Sequence, residues 1–171
     1  MGREVRRVPP NWEHPKNDGG NYAPLFDETF DDAMQEWSAG LELWKRGKHE
    51  YQVKGWSGDT YPRTAEGFAD YDGGPPQPEW CRPAFIEEPT WFQAYETVSE
   101  GTPVSPPFET QEELARYLFE NGDFAYQKGH GAKPASYEAA LAFVKSEYAP
   151  SMMMGPGGIK TSYELFPKDT K

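Results

Sequence analysis

Cations and an indole crowd the start of the chain. Arg3, Arg6 and Arg7 are followed by Trp12, His14 and Lys16. A guanidinium grips phosphate through two parallel hydrogen bonds and stacks on aromatic faces. An aromatic face in turn accepts a nucleobase. In an extended chain Arg3 and Arg7 share one face and Arg6 takes the other. The block therefore reads as a pocket for a small nucleotide-like anion. Arg3, Arg6, Arg7 and Lys16 would hold the phosphate, Trp12 would stack, and His14 lies within reach. A competing reading pairs the same arginines with the chain's own carboxylates. Residues 58–113 carry twelve acids against Arg63 and Arg82, enough to lock the terminus onto the body.

Three weaker constellations remain. Glu96 and Glu100 flank Thr97, Ser99 and Thr102, an acid-and-hydroxyl turn suited to a ribose or sugar hydroxyl, or simply a hydrogen-bonded strand exit. Gly155-Pro-Gly-Gly-Ile-Lys160 lacks the phosphate-loop spacing but could offer backbone amides and Lys160 to an anion; equally, it is a plain β-turn. Cys81 sits beside Arg82, which could lower its pKa, although a lone buried cysteine is usually inert packing. His14, His49 and His130 are too dispersed for a metal site, and no nucleophile has a base beside it in sequence. The expectation is a non-enzymatic protein with no cofactor.

The elements that must position these groups are modest. The 171 residues carry a formal charge of −11, and 36% are hydrophobic against roughly 45–50% in ordinary domains. Aromatics at 15% compensate, since each ring can bury on the order of 150–250 Å². Seventeen glycines and seventeen prolines exclude a simple helical bundle. The acidity disfavours long nucleic acid. No apolar run approaches the roughly 20 residues of a membrane helix, and the N-terminus lacks the apolar stretch of a secretory signal. One cysteine excludes an internal disulfide, in keeping with a reducing compartment.

The residue pattern predicts a short strand over 3–8, stopped by Pro9-Pro10. A first helix is expected from about Thr29 to Lys48, with Phe30, Met34, Trp37, Leu41 and Trp44 in one stripe. If exposed, Trp37 and Trp44 would make a homo-oligomer seam. Residues 55–90 read as a long loop pinned by rings, with one helical turn near 64–70. A strand follows over 91–98, then an extended proline-rich crossing over 101–107. A second helix starts at the Thr110/Glu113 capping box. A third runs from Ser136 to about Tyr148, and a closing strand is placed over 159–166. The whole is expected to be one α+β domain, 1–171, with a loop-rich insert at about 50–90. It would hold a small, mostly antiparallel sheet, two or three packed helices and long aromatic-pinned loops.

Four stretches together resemble a family of small, mostly unannotated proteins encoded by tailed phages and prophages. They are Gly2-Arg-Glu-Val-Arg-Arg-Val-Pro-Pro-Asn-Trp-Glu-His-Pro-Lys16, Pro24-Leu-Phe-Asp27, Tyr95 through Arg116, and Ala149-Pro-Ser-Met152. The resemblance brings no catalytic residues. It implies a phage-encoded accessory protein acting in the host bacterial cytoplasm. Within that frame, the lead expectation is a counter-defence protein that sequesters a small nucleotide-like ligand. The alternative is an acidic protein that blocks a host protein through residues 58–113.

Overall fold

A computed structural model describes residues 2–54, 61–97, 101–121, 136–149, 152–155 and 158–161. The fold is α+β. It divides into two compact units, one of Met1–Leu25 with Ala84–Lys171 and one of Phe26–Pro83. Among the described residues no helix is long and apolar enough to cross a membrane.

The first unit is built on strand β1 (Gly2–Val8). Pro9 and Pro10 lack the amide hydrogens that would extend its ladder. Strand β2 (Trp91–Thr97) lies antiparallel along it with Arg3 opposite Glu96 and Arg7 opposite Phe92. Residues 101–108 then run back beside β2, exchanging hydrogen bonds at Glu96, Ala94 and Phe92. Helix α4 (Gln111–Asn121) begins at the expected capping box: the Glu113 amide donates to Thr110 Oγ1 and the Thr110 amide to the Glu113 carboxylate. Helix α5 (Tyr137–Ser146) is capped by Ser136, whose hydroxyl accepts from the Ala139 amide. It stops two residues before Tyr148, because Glu147 turns left-handed at φ 60°. Tyr148 instead enters strand β3 (Tyr148–Ala149), which pairs with the free side of β1 and completes a sheet ordered β2-β1-β3.

Strand alternation gives this sheet two covered faces. Val5, Phe92 and Ala94 pack against Leu114, Ala115 and Leu118 of α4 and Ala140, Phe143 and Val144 of α5. Leu25, Val8 and Tyr95 are buried elsewhere in the unit. Strands β4 (Met152–Gly155) and β5 (Gly158–Thr161) pair with each other, with Gly155 opposite Gly158. Strand β5 covers the start of the closing strand expected over 159–166, of which 162–166 lie outside the described residues.

The second unit starts with helix α1 (Phe30–Lys45), capped by Thr29, whose side chain accepts from the Asp32 amide. Short helix α2 (Glu50–Val53) follows. The expected single turn near 64–70 is helix α3 (Ala65–Asp72), capped by Thr64 and ended by Gly73 at φ 94°, a conformation glycine adopts without strain. Trp44 is wholly buried. Its indole nitrogen donates to the Pro62 carbonyl at 2.9 Å, and its ring stacks near Tyr71 at 5.1 Å and Tyr51 at 6.0 Å. The proposed oligomer seam therefore loses Trp44: aromatic residues of 51–71 cover that ring. Gly40, which weakens the helix reading of α1, is where Phe68 crosses it; a Cβ there would come within 2.9 Å of the Phe68 ring.

Candidate functional site

The N-terminal arginines are held in place by the same register that forms the sheet. Arg3 is 3% exposed; its Nη1 donates to the Gly2 carbonyl and its Nη2 lies 3.8 Å from Glu96. Arg6 is 7% exposed. Its Nε donates to Glu4 at 2.6 Å, its Nη1 donates to the Leu25 carbonyl at 2.8 Å, and its guanidinium lies 4.4 Å from the Tyr95 ring centroid. Arg7 is exposed, 3.7 Å from Glu147 and over the Phe92 ring. A cation taken out of water must be paired, because the desolvation cost otherwise exceeds anything packing returns. Arg3 and Arg6 are accordingly structural, whereas Arg7 keeps a water-exposed pair with Glu147. This corrects their assignment as the phosphate grip.

Glu96 is the counter-ion of Arg3, and its amide donates to the Thr102 carbonyl at 2.9 Å. The strand-exit reading accounts for both residues, while residues 98–100 lie outside the described set. Lys160 sits opposite Met153 in the β4–β5 ladder; its side chain lies outside the described residues. Cys81 is buried, with Sγ 3.6 Å from the Gln77 carbonyl, and burial pushes its thiol pKa up. Arg82 pairs with Asp27 instead of activating it. Among the described residues no cluster of three His, Cys, Asp or Glu could hold a metal ion.

The other half of the N-terminal block does form a site. Residues 9–25 fold back through a turn held by Asn17, whose side chain accepts from the Gly19 and Asn21 amides. Lys16 and Tyr22 are bridged across it. This segment and the proline-rich 103–107 run border a cavity of about 810 Å³. Trp12, Lys16, Tyr22, Gln93, Ser105 and Tyr117 are among its walls. Lys16 is exposed, has no ion pair among the described residues, and points its ammonium over the Tyr22 ring at 5.4 Å.

A buried polar chain holds this wall. Tyr95 Oη donates to Gln93 Oε1 at 2.8 Å and accepts from Trp12 Nε1 at 3.2 Å. Gln93 Nε2 donates to the Ser105 carbonyl at 2.7 Å, and Ser105 Oγ accepts from the Ala94 amide. His14 Nε2 faces the Ala23 carbonyl at 2.7 Å, and Nδ1 faces Tyr95 Oη at 3.2 Å. A carbonyl can only accept, so Nε2 carries a hydrogen. Burial lowers the His14 pKa; the bond to Ala23 opposes this and Arg6 adds to it. His14 thus bonds within its own segment at Ala23 and meets the sheet at Tyr95 Oη, linking the two.

Of the predicted site residues, Trp12, His14 and Lys16 come together, while Arg3, Arg6, Arg7, Glu96 and Thr102 do not join them. Sequence reading missed Tyr22, Gln93, Tyr95, Ser105 and Tyr117. The signal for Gln93 was available: it is the lone amide in an aromatic strand, two residues from Tyr95 and so on the same face. No protein-family model matches the chain, and neither a curated protein nor a solved structure does.

Proposed function

We propose that the protein is a non-enzymatic binding protein that sequesters a small nucleotide-like ligand, a ring bearing an anionic group, as a phage-encoded counter-defence factor in the host bacterial cytoplasm. The phage context rests on the four resembling stretches of sequence. The binding reading rests on one observation: a cavity of about 810 Å³ with a lysine that has no ion pair among the described residues, beside aromatic walls. That volume falls within the roughly 300–1,000 Å³ of small-molecule sites. Trp12, Tyr22 and Tyr117 offer surface for a ring, and Lys16 offers one positive charge. With the arginines paired elsewhere and Glu13 also in the wall, the site suits a ligand of low negative charge.

Adenosine and adenosine monophosphate serve as probes. Both are expected to raise the melting temperature of the full chain, the monophosphate more. Lys16→Ala should erase the difference between them, and Tyr22→Ala should weaken both. No rise with either probe, or a difference that survives Lys16→Ala, refutes the reading. The alternative, a blocker of a host protein, draws support from Ile86, fully exposed beside Glu87 and Glu88. Under that reading, a host protein retained by the wild type is lost with Ile86→Asn while probe binding is unchanged.

A further inference from the structure

The second unit carries its own cavity, of about 650 Å³, with a different chemistry. Glu28, Glu36 and Asp72 line it together with Trp37, Trp80 and Phe68. None of the three carboxylates has an ion-pair partner among the described residues. They also act on one another. Burial raises the Glu28 pKa, and the negative charges of Glu36 and Asp32 raise it further against the pull of Arg82. Burial raises Asp72 as well, His49 opposes this, and Glu36 adds to it. Glu36 therefore repels both neighbours across the same hollow. Like charges facing one hollow, only partly offset by Arg82 and His49, are unfavourable, and a bound cation would relieve them.

The geometry also selects the kind of cation. No three of these acids and His49 converge closely enough to chelate a metal ion. Separated carboxylates suit charges separated along a chain. Rings in the wall suit methylene groups and attract ammonium through their faces. We propose that this cavity binds a linear polyamine, with ammonium groups at Glu28, Glu36 and Asp72 and its methylenes along Trp37, Trp80 and Phe68. The same head-group chemistry occurs in a lysine side chain, so a protein is the competing source.

The test is calorimetric titration of the full chain with spermidine, with tetralysine peptide and with magnesium chloride, all at matched ionic strength. Tryptophan fluorescence is recorded alongside. Spermidine is expected to bind stoichiometrically and to perturb indole emission. Glu36→Gln should weaken it by about tenfold, the scale of one charge-assisted hydrogen bond. Glu28→Gln gives an independent second variant, and Trp80→Ala should weaken spermidine but not magnesium. Glu87→Gln, an exposed acid of the other unit, should leave binding unchanged. Binding should weaken as pH falls and the raised carboxylates protonate. Equal losses from Glu87→Gln and Glu36→Gln would mean diffuse surface attraction and overturn the assignment. Binding of tetralysine without spermidine would overturn it in favour of a protein side chain. Magnesium binding that matches spermidine in every variant would overturn it in favour of a metal.

Discussion

Replacing Arg6 and Arg7 in turn separates a structural guanidinium from a spare one. The residues are adjacent in β1, yet the Arg6 side chain is 8% exposed and that of Arg7 is 54% exposed. Arg6→Met keeps the hydrocarbon stem but removes three interactions. The bond to the Leu25 carbonyl at 2.8 Å is charge-assisted and worth about 1.5–3 kcal/mol. The contact with the Tyr95 ring at 4.4 Å adds about 0.5–2 kcal/mol. Glu4, whose side chain is 28% exposed, also loses its partner at 2.6 Å. The expected loss is about 3–5 kcal/mol, the range for breaking a buried pair. Arg7→Met breaks a screened pair at 3.7 Å in which both partners are about half exposed, and an exposed contact with the Phe92 ring worth about 0.5–1 kcal/mol, so its loss is about 0.5–2 kcal/mol. Native-state hydrogen exchange gives a readout local to the sheet. The Val5 amide donates to Glu147 and the Ala94 amide to Ser105 Oγ. In Arg6→Met their protection should fall by roughly two to four orders of magnitude, at about 1.4 kcal/mol per decade. In Arg7→Met it should fall by at most about 1.5 decades. Equal losses in the two variants, or an Arg6→Met loss under about 1 kcal/mol, would refute a structural Arg6 and return it to ligand binding.

Two further predictions follow from buried groups. His14 has a pKa lowered on folding, mainly by burial, so the unfolded chain takes up its proton first. Its contribution is complete above about pH 6.5 and is lost as pH falls toward the lower folded value, with a slope of at most about 1.4 kcal/mol per pH unit. Exchange of the Ala94 amide between pH 7.5 and pH 5, corrected for intrinsic rate, should show this, and His14→Gln should flatten it; an equal slope in the variant counts against a lowered His14 pKa. Trp44→Ala should cost the second unit about 3–5 kcal/mol and abolish most of the near-ultraviolet dichroism of its ring cluster. A loss under about 1 kcal/mol would mean that Trp44 is not central to that cluster.

What proved readable in the sequence was local chemistry. Thr29, Thr110 and Ser136 start their helices because a hydroxyl three residues before a free amide caps it wherever the chain lies. The Arg6–Glu4 pair was readable on the same terms: residues two apart in a strand share a face. The Arg3–Glu96 pair was not, since it depends on how β1 registers against a strand more than ninety residues away. Trp44 shows a related difficulty. Its place in the apolar stripe was visible, but what covers it was not, because α3 and Tyr71 lay in a stretch rich in glycine and proline with no sustained period. The candidate cavity follows from the same composition. Pro103, Pro106 and Pro107 have no amide hydrogens, so the run beside β2 cannot accept a full ladder on its outer edge. The 9–25 segment meets it through an isolated bridge, the two-bond exchange between Leu25 and Gly101, and not as a strand. Two extended segments that approach without pairing leave space between them. The buried chain from His14 through Tyr95 and Gln93 to Ser105 holds that space open at a fixed width. Arg6, first read as part of the ligand's grip, thus packs on Tyr95 behind the wall beside which Lys16, Trp12 and Tyr22 stand.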